Sequence, residues 1–375
     1  MNSASSWQQV RKILCIRLDN LGDVLMTTPA IHALKQAGPG RHISLLASPA
    51  GAALAAYLPD VDEVIAYDAP WVKNDNDDPE AEARVLRALR EAKFDAAVIF
   101  TVYSQSPLPA ALMCRLAGIP RVLAQCRENP YRLLSDWQPE TEPHQQTRHE
   151  TRRQLDLVEV AGAVSDEQKL VFATRDGDRQ SLREKLDARG LGPTDTWIVS
   201  HCGATAASRR YPPGHFAQVL RMLGGRAGTV VLTGGASEQA LTAEISTMCK
   251  DSVPIVDLAG ALSLGELACL IEDAALLLSN NSGPVHLAAA LGTPVVDLYA
   301  LTNPQHTPWM VRHRVLYHDV PCKYCYRSVC PEGHNDCLRK VAPATVCEAV
   351  LELLAESTPN TTEPPGRSEL EKIAC

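Results

Sequence analysis

The stretch ALLLSNNSGPVHLAAAL, residues 275–291, joins a short apolar run, a turn of small polar residues and an apolar segment with helical character. Ala275 to Ser279 predicts a buried strand, because an aliphatic run of this length is followed directly by turn residues. Ser282 followed by Gly283 and Pro284 is typical of a helix N-terminus, where a capping residue precedes a proline. A strand, a turn and a helix in this order form a βα unit, so the stretch predicts a parallel sheet covered by helices.

Similar units recur along the chain and fall into two sets of five predicted strands. The first set is Lys12 to Leu18, His42 to Ala47, Glu63 to Tyr67, Asp95 to Phe100 and Arg121 to Ala124. The second set is Trp197 to Ser200, Thr229 to Thr233, Ile255 to Leu258, Ala275 to Ser279 and Pro294 to Tyr299. A polar stretch, Asp136 to Glu150, and a helix from about Thr147 to Ala161 are predicted between the two sets.

The length of 375 residues is that of two ordinary domains. We therefore expect an α/β protein with two doubly wound, Rossmann-like domains that face each other across a cleft. The boundary is predicted near Phe172 to Asp178, which gives domains of residues 1–174 and 175–356. Residues 357–375, rich in Thr, Pro and Glu, predict a disordered tail.

Composition narrows the classes of function that fit the chain. Hydrophobic residues make up 45% and charged residues 21%, as in ordinary globular proteins, and the net charge of −8 argues against nucleic acid as a partner. The sequence predicts neither a membrane span nor a signal peptide, since no run of about 18 apolar residues occurs. The twelve cysteines do not form the even framework of a secreted domain, so a cytoplasmic location is expected.

Four predicted strands of the second domain end in turns at the sheet edge where α/β proteins bind ligands. The turns are His201 to Thr205, Gly234 to Glu238, Asn280 to His286 and Leu301 to Asn303, and three of them are rich in Gly, Ser, Thr or Asn. Small residues let backbone N–H groups approach an anion, and a helix that begins after Ser282 adds a favourable dipole. The turns predict a diphosphate pocket; the alternative is that they only connect strands to helices.

Two charged residues near predicted turns are further candidates. Arg209 can bind phosphate oxygens through its guanidinium, although it can also be part of a solvated helix start. No Asp-x-Asp pair falls beside the predicted pocket, which disfavours metal-dependent transfer. Asp23 follows the first strand and opens a helix, where an Asp is usually a cap.

Three stretches give the chain a resemblance to glycosyltransferase family 9, the bacterial lipopolysaccharide heptosyltransferases. They are RLDNLGDVL at residues 17–25 with Thr28 to Ala30, Ser208 to Pro212 with Phe216 after it, and NSGPVHLAAALG at residues 281–292. Their order and separation agree with the family, and the resemblance runs from about Lys12 to Leu354.

The resemblance implies a GT-B fold, with an acceptor-binding domain first and a nucleotide-sugar-binding domain second. It implies an inverting transfer of a heptose or related sugar from ADP-heptose to a lipopolysaccharide-core or similar glycan acceptor, with no cofactor or metal required. Asp23 then becomes the base that takes the proton of the acceptor hydroxyl. The helix N-terminus is expected to lower the pKa of Asp23.

The resemblance also implies a donor site. Arg209 falls where the family usually has a phosphate-binding Lys, and Glu238 matches an acid that contacts the nucleoside. Ser282, Gly283 and His286 match the loop that holds the diphosphate and the sugar.

Thr205 and Asn281 complete the predicted donor-binding set. Asn281 departs from the family, which commonly has Asp there, beside the sugar. An amide both donates and accepts hydrogen bonds but carries no charge, so the identity of the donor sugar is left open.

A cysteine-rich segment, residues 322–347, follows the last predicted strand. Its thiols are Cys322, Cys325, Cys330 and Cys337, with His318 and His334 interleaved. Four such ligands can close a structural zinc site, but one CxxC knuckle instead of two leaves free or redox-active thiols as the alternative. Residues 312–340 also carry more Lys and Arg than Asp and Glu, which suggests either contact with an anionic glycolipid at the inner membrane or a solvated face.

Two other functions remain open on the sequence. A nucleotide-sugar 2-epimerase shares the two-domain fold, although its Glu-Arg-Pro-Glu type motif is not found here. A non-catalytic scaffold built on the cysteine-rich segment is the other alternative.

Overall fold

A computed structural model describes residues 7–72 and 78–357, and these fold into two parallel sheets flanked by helices. The predicted disordered tail, apart from Ser357 at the end of the last helix, lies outside the described residues. None of the described helices combines the length and the apolar character that crossing a bilayer requires.

The first sheet is built from the first half of the chain. Its strands are β1 (Lys12–Arg17), β2 (His42–Ala47), β3 (Glu63–Ala66), β4 (Ala96–Ile99), β5 (Val122–Cys126) and β6 (Asp136–Pro139). The helices are α1 (Leu21–Gln36), α2 (Pro49–Ala52), α3 (Pro79–Ala92), α4 (Leu108–Leu116) and α5 (Glu150–Glu159). All neighbouring strands are parallel and lie in the order β3-β2-β1-β4-β5-β6.

The second sheet repeats this arrangement. Its strands are β7 (Trp197–His201), β8 (Thr229–Thr233), β9 (Ile255–Asp257), β10 (Leu276–Asn280), β11 (Val295–Leu298) and β12 (His313–Leu316), in the order β12-β11-β10-β7-β8-β9. The helices are α6 (Asp176–Asp187), α7 (Pro213–Leu223), α8 (Gln239–Met248), α9 (Leu264–Glu272), α10 (Gly283–Leu291), α11 (Asp336–Arg339) and α12 (Pro343–Ser357).

Both sheets have the strand order of a doubly wound Rossmann domain, which confirms the predicted fold class. The strand order reverses between β1 and β4 in the first sheet and between β7 and β10 in the second. Crevices at such reversals are where open α/β sheets bind ligands. Each half therefore carries its own crevice at the carboxyl ends of its strands.

All ten predicted strands are present, with ends that differ from the prediction by no more than two residues. Two strands, β6 and β12, were not predicted from the sequence. The stretch predicted as a polar connection between the two sets of strands begins with β6. Both of these strands lie at sheet edges, and most of their residues are at least partly exposed. Neither DWQP of β6 nor HRVL of β12 is a continuous apolar run. The strongest strand signal, a continuous aliphatic run, is therefore absent from them.

The two halves pack against each other through α1 and α10. Val24 and Leu25 of α1 belong to the same buried hydrophobic cluster as Val285 and Leu287 of α10. The connection between α5 and α6 contains the predicted boundary near residue 174, which stays a prediction. Within the halves, α1 packs on α5 and α6 packs on α9.

Candidate active site

Asp23 lies in the first turn of α1 and has two different environments for its two carboxylate oxygens. Its Oδ2 atom accepts a hydrogen bond from the backbone N–H of Asn20 at 3.1 Å, as a helix-capping acid does. Its Oδ1 atom lies 3.3 Å from Nη2 of Arg17 and 3.9 Å from Nε2 of His306 in the second half. One oxygen therefore holds the helix, and the other faces the boundary between the halves.

Arg17 is a fully buried cation that joins three acids of the first half. Its guanidinium lies 3.0 Å from Asp19 and 2.7 Å from Glu150, in addition to its contact with Asp23. Glu150 is the first residue of α5, so the packing of α5 on α1 fixes this arrangement. A buried Arg with several carboxylate partners fixes their relative positions, because its planar donors have defined directions.

The pKa of Asp23 is raised, contrary to the expectation from its helix position. Burial opposes the charged carboxylate and outweighs the effect of the Arg17 cation, which acts in the opposite direction. Burial also lowers the pKa of His306 to about 4, so this imidazole is neutral at pH 7. A neutral imidazole beside Asp23 adds no positive charge that would reduce the basicity of the carboxylate.

In the second half, Asn280 connects the turns that follow β7 and β10. Its Nδ2 atom donates to the carbonyl oxygen of Cys202 at 2.7 Å, and its Oδ1 atom accepts from the backbone N–H of Tyr211 at 3.0 Å. The turn that leads to Arg209 is thus held close to the end of β10.

Asn281 is buried, and its amide group is committed to neighbouring residues. Its Nδ2 atom donates to Oδ2 of Asp297 at 2.9 Å and to the carbonyl oxygen of His306 at 3.0 Å. Asp297 is fully buried in β11, and burial raises its pKa to about 8. Asn281 therefore places a carboxyl group, protonated at neutral pH, behind the predicted donor loop.

Ser282, Gly283 and His286 form the start of α10 at the boundary with α1. The Ser282 hydroxyl donates to the carbonyl oxygen of Asn280 at 3.1 Å and does not cap the helix, so the first-turn N–H groups lack a side-chain cap. His286 is buried against the first half: a Cβ added at Gly22 would lie 2.8 Å from its Cδ2 atom. Burial lowers the pKa of His286, and its Nδ1 atom has no hydrogen-bond partner among the described residues.

Glu238 lies against the turn that follows β7. Its Oε2 atom accepts a hydrogen bond from the backbone N–H of Gly235 at 2.8 Å. A Cβ at Gly203 would lie 1.8 Å from its Oε1 atom, so Gly203 is what allows the carboxylate to approach this closely. Two of the predicted turns, after β7 and after β8, therefore meet at Glu238.

Arg209 lies at the end of a 3-10 helix, Ala207–Arg209, between the two halves. It is close enough to affect the pKa of Asp23 on one side and the pKa values of His286 and Asp297 on the other. Thr205, at the start of the same turn, is exposed, and its carbonyl oxygen accepts from Arg210 at 3.4 Å. The structure thus brings Arg209, His286 and Asp23 together and leaves Thr205 at the periphery.

The four cysteines of the cysteine-rich segment share one small pocket with His334. The lining thiols are Cys322, Cys325, Cys330 and Cys337. Cys322 Sγ lies 3.9 Å from His334 Nε2, and Cys330 Sγ accepts a hydrogen bond from the Asn335 backbone N–H. Within residues 7–72 and 78–357, no three His, Cys, Asp or Glu side chains are grouped so that they could hold a metal ion. The zinc site predicted from the sequence stays a prediction.

The cysteine-rich segment contacts both halves. The hydroxyl of Ser208 donates to the carbonyl oxygen of Arg327 at 2.7 Å, and the Tyr326 hydroxyl is hydrogen-bonded to that of Tyr103 in the first half. Several cations of residues 312–340 are paired with acids: Arg314 with Glu352 and Glu356, Lys323 with Asp319, and Lys340 with Asp336. These ion pairs reduce the free positive charge that the sequence suggested for residues 312–340.

Three residues of this site were not predicted from the sequence: Arg17, His306 and Asp297. Arg17 carried a signal, since it interrupts the apolar run of β1 with a charge. Asp297 carried a similar signal within VVDL of β11. His306 carried none, because it lies three residues beyond the Leu301 to Asn303 turn and reaches Asp23 through tertiary packing.

Two Rossmann-like domains with their crevices at the strand ends are the architecture of the GT-B fold. The sequence model of glycosyltransferase family 9 (heptosyltransferase) matches residues 83–335 of the chain. The chain belongs to this family and is a glycosyltransferase, which confirms the resemblance seen in its motifs.

Curated relatives and solved structures agree with this membership. The chain is 27% identical over 293 residues to lipopolysaccharide heptosyltransferase 3 of Escherichia coli K12, covering 77% of this chain and 81% of the relative. It superposes with a TM-score of 0.77 on a family 9 glycosyltransferase of Veillonella parvula, at 23% identity, with 94% of this chain and 99% of that chain covered. The TM-score is 0.73 for the E. coli ADP-heptose lipopolysaccharide heptosyltransferase II, at 23% identity and with 93% and 100% covered.

Proposed function

We propose that the chain transfers a heptose, or a closely related sugar, from ADP-heptose to a lipopolysaccharide-core or similar glycan acceptor. The names of the relatives support both the donor and the acceptor class. The observation that carries the proposal is the position of Asp23, whose Oδ1 atom faces His306 of the second half and is within electrostatic reach of Arg209.

The proposed reaction is a single displacement that inverts the anomeric configuration. The oxygen of an acceptor hydroxyl forms a bond to the anomeric carbon while the bond from that carbon to the diphosphate oxygen breaks. ADP leaves with the electron pair, and Asp23 takes the proton of the hydroxyl. The raised pKa of Asp23 suits this task, because a more basic carboxylate accepts a proton more readily as long as it remains ionised.

The negative charge of the leaving diphosphate is stabilised by the protein in this proposal, without a metal ion. Arg209 supplies a cation, and the uncapped start of α10 at Ser282 and Gly283 supplies N–H groups and the positive end of a helix dipole. Together they provide the charge that a divalent metal provides in other transferases.

The remaining predicted donor residues keep their roles as parts of the proposal. Glu238 binds the nucleoside, and His286 offers its unpartnered Nδ1 atom to the donor. Asn281 acts by holding Asp297 and the His306 backbone, and Thr205 lies at the exposed end of the site. Residues 1–174 then bind the acceptor and residues 175–356 the donor.

The place of the reaction follows from the acceptor class. A glycolipid acceptor puts the enzyme at the cytoplasmic face of the inner membrane. Because much of the positive charge of residues 312–340 is paired with acids, we assign recognition to the acceptor glycan and only a minor part to lipid charge.

Donor identity is tested with a thermal-shift panel of ADP-heptose, ADP, UDP-glucose and GDP-mannose. A donor at 100 times its dissociation constant should stabilise the folded protein by about 2.7 kcal/mol. Stabilisation by the adenine compounds alone is expected. Stabilisation by UDP-glucose or GDP-mannose alone would contradict the donor assignment.

Transfer is tested by ADP release from ADP-heptose in the presence of lipopolysaccharide isolated from a heptose-deficient bacterium. Asp23→Asn should reduce turnover about 10²- to 10⁴-fold and leave ADP binding unchanged, while the exposed Asp166→Asn control keeps full turnover. Product NMR should show the anomeric configuration opposite to that of the donor. Retention of configuration, or full turnover by Asp23→Asn, would rule out this mechanism.

A further inference from the structure

A pocket of about 300 Å³ lies at the strand-order reversal of the first sheet, where the carboxyl ends of β1 and β4 meet. Its floor is apolar and is formed by Ile16, Ile99 and Phe100. The volume is roughly that of ten water molecules in the liquid, which is enough for one pyranose ring. The pocket is separate from the donor turns of the second sheet.

The rim of this pocket combines an aromatic face with hydrogen-bonding groups. Trp71 is 37% exposed and forms one wall. Gln105 donates from Nε2 to Oδ1 of Asp19 at 2.6 Å, and both line the pocket. An aromatic face packs on the C–H groups of a sugar ring, and carboxylate and amide groups bind its hydroxyls.

The charge of the residues that line the pocket disfavours anionic ligands. Asp19 is the ionisable side chain among the described lining residues, and no Lys or Arg lines the pocket in that part of the chain. The cation next to Asp19 is Arg17, which is fully buried and already in contact with Asp23 and Glu150. A phosphate or carboxylate group in this pocket would meet a negative charge without a free cation to offset it.

The pocket is connected to the proposed base through Arg17. The Arg17 guanidinium contacts Asp19 at the pocket and Asp23 at the boundary between the halves. The two carboxylates therefore share one guanidinium, and the charge of Asp23 contributes to raising the pKa of Asp19. A ring bound at Asp19 would therefore lie beside the guanidinium that also contacts Asp23.

We propose that this pocket binds one uncharged sugar ring of the acceptor, with Trp71 against the face of the ring and Asp19 and Gln105 on its hydroxyls. The inference rests on the proposed function, since it assigns the acceptor unit for the same reaction. It goes further in excluding a phosphorylated or acidic sugar from the position next to Asp23. Arg17 is a positioning residue in this arrangement, because it acts on the acceptor through Asp19.

The test is ligand-observed NMR with methyl glycosides of neutral hexoses and of a heptose, compared with glucose 6-phosphate and methyl glucuronide, at millimolar concentrations. The full chain should bind at least one neutral glycoside and bind the charged sugars at least tenfold more weakly. Trp71→Ala should weaken glycoside binding about fivefold, which corresponds to about 1 kcal/mol. Trp137→Ala is the matched control, since Trp137 is 40% exposed in the same half and does not line the pocket.

Asp19→Asn and Gln105→Ala provide two further variants, the second of which leaves the contacts of Arg17 intact. Both should weaken binding of the neutral glycosides and leave ADP binding unchanged. The inference fails if charged sugars bind as well as neutral ones, if no neutral glycoside binds, or if Trp71→Ala and Gln105→Ala bind like the wild type. Failure of the proposed function would be seen differently: the protein would neither bind ADP-heptose nor consume it, independent of whether the glycosides bind.

Discussion

The Nε2 atom of His306 lies 3.9 Å from Oδ1 of Asp23, and this pair joins the first half of the molecule to the second. His306 is held by its own half: its backbone carbonyl accepts from Asn281, and its ring nitrogen lies 3.3 Å from the Asn303 amide. Asp23 is held by Arg17 and by the start of α1. The proposed base is therefore fixed on one side and faces a neutral imidazole on the other.

Replacing Arg17 should change the pH dependence of turnover. Arg17 lowers the pKa of Asp23, so Arg17→Met should let that pKa rise further above its ordinary value. The base is then protonated over a wider range, and turnover at pH 6 should fall more than turnover at pH 8. The measurement is a pH–rate profile of kcat, with Arg17→Lys as the variant that keeps the charge. A uniform loss at every pH would show that Arg17 acts only on stability.

Gly22→Ala should disturb the contact between α1 and α10. A Cβ at position 22 would lie 2.8 Å from Cδ2 of the buried His286, so either the His286 ring or one of the two helices has to move. We expect a loss of about 1–3 kcal/mol in the free energy of unfolding and at least a tenfold loss of turnover. Gly177→Ala is the control, because nothing lies within 4 Å of a Cβ built there. Equal unfolding curves for the two variants would contradict the close contact.

Asp297→Asn should change how stability depends on pH. Burial raises the pKa of Asp297 to about 8, whereas the unfolded chain ionises this group near its ordinary value of 3.8. Between these values only the unfolded state is ionised, so stability falls as pH rises, by up to about 1.4 kcal/mol per pH unit. Urea unfolding should show that the free energy of unfolding of the wild type falls between pH 5 and pH 8 by more than about 1 kcal/mol beyond any fall in the variant. A constant difference would mean that Asp297 is ionised in the folded protein.

Arg209→Ala should weaken the binding of ADP-heptose. A charge-assisted hydrogen bond to phosphate contributes about 1.5–3 kcal/mol, so we expect a loss of affinity of about 10- to 100-fold. Arg209→Lys should recover part of this loss, because it restores the charge without the planar donors. Arg221→Ala, on the exposed side of α7, is the control in isothermal titration calorimetry. Unchanged affinity in Arg209→Ala would remove Arg209 from the donor site.

The cysteines should divide into two classes by reactivity. Cys322, Cys325 and Cys330 are partly exposed free thiols, whereas Cys15, Cys114 and Cys202 are buried with raised pKa values; burial also raises the pKa of the partly exposed Cys337, which should react more slowly than the other three. Titration with an aromatic disulfide reagent should modify the first group in the native protein and the second group only after unfolding. Release of zinc during the titration would show that the thiols bind metal, as the sequence predicts.

The fold was predictable because the two central sets of strands are continuous aliphatic runs followed by turn residues. The edge strands β6 and β12 were not, since partial burial leaves them without an apolar run. Motif positions such as Asp23 and His286 could be identified from local sequence. The contact of His286 with Gly22 could not, because it depends on how the two halves pack.

The pKa of Asp23 shows the same limit. Its place in the first turn of α1 is visible in the sequence and predicts a lowered pKa. The burial that raises the pKa instead comes from α5 and from the second half of the chain, which lie far away in sequence. The local position of Asp23 therefore predicted the wrong sign for the shift of its pKa.

The repeated strand order has a consequence for how this enzyme can diversify. Each sheet offers its own crevice, so residues around Trp71 can change without altering those around Arg209. If the two crevices divide the work as proposed, selection can change which molecule is modified while the activated building block stays the same, or the reverse. The residues where α1 packs on α10 have to change together, because they belong to both halves. Chimaeras that exchange whole halves between relatives should therefore keep a matched pair of these helices.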